Sequence, residues 1–196
     1  RDSFGRFGFD DYYGEGSRWV RQVVLTAEGA LIVADEYVGG KALDDQYRAG
    51  PLWHVAIEGE QVEENPAGEE QAKKETGNWF SAPAFDHAWW SKSKSRLLVL
   101  FHDEGKSEFG SLPQRHSQDT RPNRLVFASR AITAGRTERF LSVLLPYEDG
   151  QSAAQVAAGV SCKVSDAGAF STRIGGVEVG IEGGSWWVKR PREQGK

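Results

Sequence analysis

Histidine is the side chain most often used for proton transfer near neutral pH, and this chain has four: His54, His87, His102 and His116. None stands in an HxH or HExxH spacing, so a metal centre would need convergence from distant parts of the chain, and neither a metal nor a cofactor is expected. Cys162 is the lone cysteine; it has no partner for a disulfide, a zinc ribbon or a redox pair, and it reads as a small buried residue. There is no GxSxG elbow for a serine nucleophile. Gly14, Gly16 and the pairs Gly175-Gly176 and Gly183-Gly184 form neither a P-loop nor a dinucleotide fingerprint, so they read as turns. The acid pairs Asp10-Asp11, Asp44-Asp45 and Glu63-Glu64 are adjacent. Neighbours in a strand face opposite sides, which makes them poor glycosidase pairs.

Aromatic residues are more informative. Phe85-Asp86-His87-Ala88-Trp89-Trp90 lies in a connection flanked by Ser and Lys, where large rings have no periodic reason to be buried. Exposed rings stack on the apolar faces of sugars, so His87, Trp89 and Trp90, together with Trp53 and His54, are substrate-binding candidates. The competing reading folds the loop indoles back onto the core. Trp186-Trp187 presents one ring to each face of a strand, with at least one of the two in the core. Tyr12, Tyr13, Tyr37 and Tyr47 could donate or accept protons at a sheet edge. With a histidine they supply the acid and base that β-elimination beside a carboxylate requires, the carboxylate itself being neutralised by Asn, Arg or a metal. No spacing selects among them, and no catalytic residue is assigned.

The elements that must position these groups are short β-type runs. Arg18 to Leu25 and Ala30 to Ala34 flank Ala27-Glu28-Gly29, a hairpin signal. After Pro51, the residues Trp53, Val55 and Ile57 form the apolar set expected to face the core. Asn78 to Ser81 is a short strand candidate. Arg96 to Phe101 is almost wholly apolar and fits a deeply buried central strand covered on both faces. Leu125 to Ala128 and Arg139 to Leu145 are expected to pair around Ala134-Gly135, with Pro146 ending the second run. Gln151 to Gly159 fits one short helix. Glycine spacing then divides Ala169 to Arg190 into a terminal meander. The expected fold class is all-β: an antiparallel β-sandwich of roughly ten or more strands. Residues 1–190 form one domain, and 191–196 form a flexible tail or linker.

Composition agrees with a packed domain, since 39% of the 196 residues are hydrophobic and seven are tryptophan. Glu58 to Gly77 is too polar and turn-rich to pack fully. A net charge of −4 argues against a general nucleic-acid binder, and no run is long enough for a membrane span. The charge is uneven, however. Seven Glu stand between Glu58 and Thr76, whereas Lys92 to Arg139 holds ten Lys or Arg against five Asp or Glu. The latter is either a set of solvated strand faces or a basic surface for an anionic polymer. The chain opens on Arg1 without a signal peptide and reads as processed or cut from something longer.

The segments Arg18-Trp19-Val20-Arg21, Gly29-Ala30-Leu31-Ile32-Val33-Ala34-Asp35-Glu36, Gly50-Pro51-Leu52-Trp53-His54 and Phe140-Leu141-Ser142-Val143-Leu144-Leu145-Pro146 resemble, in kind and order, the β-sheet part of heparinase II/III-like polysaccharide lyases. That resemblance implies antiparallel sheets preceded by an α-helical toroid, with an anionic polysaccharide cleaved by β-elimination between them, in a periplasmic or secreted enzyme. The chain departs from this pattern: it has neither the toroid nor the His-rich sheet segment that supplies metal ligands and a catalytic histidine. His54 and Tyr47 are the nearest chemically suited contributors. The expectation is therefore a sheet domain that contacts a uronate-containing polysaccharide or oligosaccharide and is inactive without an upstream helical partner domain. The alternatives are a free-standing carbohydrate-binding module and a structural or protein-interaction domain.

Overall fold

The computed structural model describes residues 1–10, 16–41, 47–56, 63–64, 78–83, 95–102, 107–114, 123–148, 150–165 and 167–191. Three antiparallel sheets account for most of them, as the all-β expectation requires. The central sheet has the order β1 (Ser3–Asp10), β2 (Arg18–Leu25), β3 (Leu31–Val38), β11 (Thr137–Glu148), β8 (Ser95–His102), β7 (Asn78–Pro83), β6 (Glu63–Glu64). A second sheet is built on β10 (Asn123–Ala131), with β4 (Arg48–Ala49) and β5 (Leu52–Ala56) on one side and β9 (Glu108–Gln114) on the other. Helix α1 (Ala153–Ala158) then leads into a meander of β12 (Val160–Val164), β13 (Phe170–Ile174), β14 (Val177–Glu182) and β15 (Ser185–Lys189).

Alternation along β8 shows why the layers stack as they do. Leu98 and Leu100 enter one core with Phe170, Val179 and Ile181 of the meander and with Ala153 and Ala157 of α1. Val99 and Phe101 enter another with Val55, Val126 and Ala128 of the second sheet. Successive strand residues point to opposite faces, so an unbroken apolar run makes a strand that must be covered twice. All four side chains are at most 1% exposed, and each contributes about 1.5–3 kcal/mol by leaving water.

The first hairpin forms around Ala27-Glu28-Gly29. Thr26 N–H donates to the Ala30 carbonyl at 2.9 Å, and Gly29 takes φ +89°, a region that side chains with a Cβ avoid. The helix and the meander form as the residue pattern predicts.

Two expectations are corrected. Leu125–Ala128 and Arg139–Leu145 do not pair: the first run lies in the second sheet, while the second lies between β3 and β8 in the central one. Their connection packs instead on the end of β3. Gly39 N–H donates to the Arg136 carbonyl and Gly135 N–H to the Gly39 carbonyl, each at 3.0 Å, so the turn carries the chain from one layer to the next. Pro146 does not end β11, because it stands opposite Leu97 and the strand continues to Glu148. The β3 ladder has already stopped at Leu144 opposite Leu31, and a proline is tolerated where one edge is unpaired.

Strands β1 and β9 lie at sheet edges in segments whose glycines and proline hide them from a propensity reading. Gly110 of β9 is needed because the Phe127 ring occupies the space a Cβ would fill.

Candidate functional site

The first wall of the site comes from alternation on β2 and β3. Trp19 and Arg21 share one face of β2, and their ladder partners on β3 are Tyr37 and Asp35. Asp35 is 2% exposed, so its carboxylate must be satisfied internally. It accepts from Arg21 Nε at 2.7 Å and Nη2 at 3.0 Å, and from Trp19 Nε1 at 3.0 Å. The Arg21 guanidinium lies 4.8 Å from the Trp19 ring and 4.9 Å from that of Trp53, held between two indoles. A planar, weakly hydrated cation suits that slot, whereas an ammonium would not reproduce the fork onto Asp35.

The second wall is the ladder of β4 and β5 on β10. Both short strands keep one register, since Ala49 stands opposite Arg130 and Leu52 opposite Phe127, with the Ala128 N–H donating to the Pro51 carbonyl at 3.1 Å between them. Gly50 permits this approach, because any Cβ there would run into the Ala128 carbonyl. Arg48 donates from Nη2 to the Ser129 carbonyl at 2.9 Å and has Nη1 3.3 Å from Glu108. Between the walls lies a cleft of about 400 Å³, bordered by Trp19, Arg21, Tyr37, Arg48, Leu52 and Phe140 among others. Leu52 is largely exposed, and Arg48 keeps part of its side chain in water. The cleft thus combines apolar and aromatic surface with one accessible cation, a composition suited to binding and orienting a ligand.

The residues singled out from sequence fall in different places. Trp53 is half-buried, faces the core side of β5 as its alternation predicts, and completes the cage around Arg21; its indole nitrogen is buried with no acceptor among the described residues. His54 points to the other face, exposed, opposite Leu125. The structure therefore does not bring Trp53 and His54 together. Tyr47 is exposed at the start of the same ladder, with its carbonyl accepting from Ile132 N–H at 2.9 Å. His87, Trp89 and Trp90 lie outside the described residues.

Three arginines of the basic 92–139 stretch are committed to internal pairs. Arg96 is buried, donates to the Tyr147 hydroxyl at 3.1 Å and has Nη2 2.8 Å from Glu63; Arg130 donates to Glu138 and Arg139 to Glu36, both at 3.0 Å. Cys162 is half-buried beside Thr172, and desolvation pushes its thiol up to about 11.

Trp19, Arg21, Asp35 and Arg48 carry the site, and residue type alone does not mark them as such. The available signal is Asp35, the acid of the Asp35-Glu36 pair that follows the apolar start of β3, beside a strand that alternates Trp19 and Arg21. No cluster of three potential metal ligands occurs among the described residues.

No family model matches the chain, and no curated protein matches it. Among solved structures it is similar to a heparinase III, with a TM-score of 0.58 and 10% identity. It is also similar to the heparan sulfate lyase HepC from Pedobacter heparinus, with a TM-score of 0.56 and 11% identity, and to a mutant of that lyase at 0.53 and 12%. Each likeness covers 96% of this chain and 26% of the other, so the chain spans about a quarter of the length of these structures. At such identity the likeness is one of fold.

Proposed function

We propose that the chain is a β-sandwich domain that contacts an anionic, uronate-containing polysaccharide through the cleft between its central and second sheets. The observation that carries this reading is the convergence of Trp19, Leu52 and Arg48 on one opening. A sugar ring offers an apolar face to the first two, and a uronate offers a carboxylate to the third. Similarity of fold to a heparinase III and to a heparan sulfate lyase supports the same class of polymer. The His87–Trp90 loop and His54 extend the proposed contact surface. Bond cleavage requires groups from a helical partner domain, and the setting is periplasmic or secreted.

Calorimetric titration of a heparosan hexasaccharide, which carries uronates without sulfates, tests the reading. Arg48→Gln removes the charge-assisted contact and is expected to weaken binding by about tenfold, the equivalent of ~1.4 kcal/mol. Equal affinity in wild type and variant would remove the cleft from the proposal. Accumulation of unsaturated uronate with this chain alone would refute the need for a partner.

A further inference from the structure

The outer face of the C-terminal meander carries a second arrangement that the cleft does not use. Trp187 stands opposite Gly180, and its ring lies flat on that glycine, where any Cβ would collide with the indole. The ring remains 36% exposed, although a large apolar side chain normally turns such area inward. Its strand neighbour Trp186 faces the other way, stacked on Phe4 at 5.8 Å and packed against the core, so the two indoles have separate roles.

Cations surround the exposed ring. The register aligns Arg173, Glu178 and Lys189 across three strands beside it, and Lys163 stands opposite Ser171, which in turn stands opposite Gly180. Arg173, Lys163 and Lys189 are exposed, and the Lys189 ammonium rests 4.3 Å from the Trp187 ring centroid. A shallow depression of about 360 Å³ adjoins the row, bordered by Arg173, Glu178, Lys189 and Arg190. Arg190 is already held by Asp2 and Glu28, which leaves Arg173 and Lys189 as the cations able to turn toward a ligand.

We infer that this face is a saccharide-binding platform for a uronate-bearing oligosaccharide, distinct from the cleft and on the far side of the central sheet; the inference rests on the carbohydrate reading above. The flat indole takes the apolar face of one sugar ring, and the short glycine bed keeps that indole at the level of the sheet. Lys189 exchanges its cation–π contact for the uronate carboxylate, with Arg173 and Lys163 flanking. Lys163, Arg173 and Lys189 outnumber the two carboxylates on this face, Glu178 and the exposed Glu182 opposite Ser185, which favours an acidic chain over a neutral one.

The test titrates the heparosan hexasaccharide against the whole chain as wild type, Arg48→Gln, Trp187→Ala, and the double variant. In the Arg48→Gln background, Trp187→Ala is expected to weaken the remaining binding by about tenfold, while Trp187→Tyr retains most of it. Arg173→Gln with Lys189→Gln is expected to lower affinity and flatten its salt dependence. Chitohexaose, neutral and of equal length, is expected to bind at least tenfold more weakly than heparosan. Unchanged affinity on Trp187→Ala overturns the platform, as does equal binding of chitohexaose or of a six-nucleotide single-stranded DNA. An effect of Trp187→Ala without one of Arg48→Gln rejects the cleft and keeps the platform, and the reverse result does the opposite.

Discussion

The Arg21–Asp35 pair shows how a buried charge is made tolerable in this protein. Asp35 is buried, but two nitrogens of one guanidinium and an indole N–H meet its oxygens, while two aromatic faces cover the cation. Removing one partner leaves the other desolvated and unpaired. Asp35→Asn should therefore cost about 3–5 kcal/mol in urea unfolding, whereas Arg21→Met combined with Asp35→Leu should cost less than the single change. A single variant no less stable than the double would show that the charges are not coupled. This network was only partly legible from sequence. Alternation places Trp19 and Arg21 on one face, but nothing local reveals that Trp53, on a strand of another sheet, closes the cage.

At the scale of elements, the cleft depends on a ladder made by two short strands in one continuous register. Strands β4 and β5 behave as one strand along β10 because Gly50 lets the backbone pass the Ala128 carbonyl. Gly50→Ala forces a methyl into that carbonyl, so β4 must separate from β10 and carry Arg48 away from the opening. The expected outcomes are loss of amide-exchange protection at Ala128 and Ile132, whose N–H groups donate to Pro51 and Tyr47, and weaker hexasaccharide binding. Retained protection at both amides would show that the ladder accommodates the methyl. The hairpin at Gly29, helix α1 and the meander were all readable, because turn residues and alternation act over a few positions. Strand β9 was not, because its Gly110 answers a ring from the neighbouring strand.

At the scale of the whole molecule, the two ends of the described chain are joined. Arg190, just beyond β15, donates to Asp2 near the start of the chain and to Glu28 in the first hairpin. The hydrogen bond from Arg190 is the main cause that lowers both carboxyls, from ordinary values of 3.8 for Asp2 and 4.5 for Glu28. Depressed carboxyls contribute stability that is present above the unfolded-state values and lost as pH falls through the folded ones. Wild type should therefore melt above Arg190→Gln at pH 6, with the gap closing as pH drops below about 4. A gap that stays constant down to pH 3 would show that the clasp does not bind protons differently on unfolding. All three groups are solvent-screened, so added salt should also narrow the gap.

Sequence by itself determined the all-β class, the central position of Arg96 to Phe101, the first hairpin, the helix and the terminal meander. Each follows from side-chain alternation or turn chemistry, which a short stretch of chain expresses in full. Tertiary structure alone decided that the run at Leu125 and the run at Arg139 enter different sheets, and that the second sheet covers one face of the central one while the helix and meander cover the other. It also decided that Trp53 closes the cage around Arg21, that Arg96, Arg130 and Arg139 turn inward to carboxylates, and that Trp187 stays outside on a glycine. The physical reason is common to these cases: a strand's two faces are set locally, but what covers each face is supplied by residues far away in the chain.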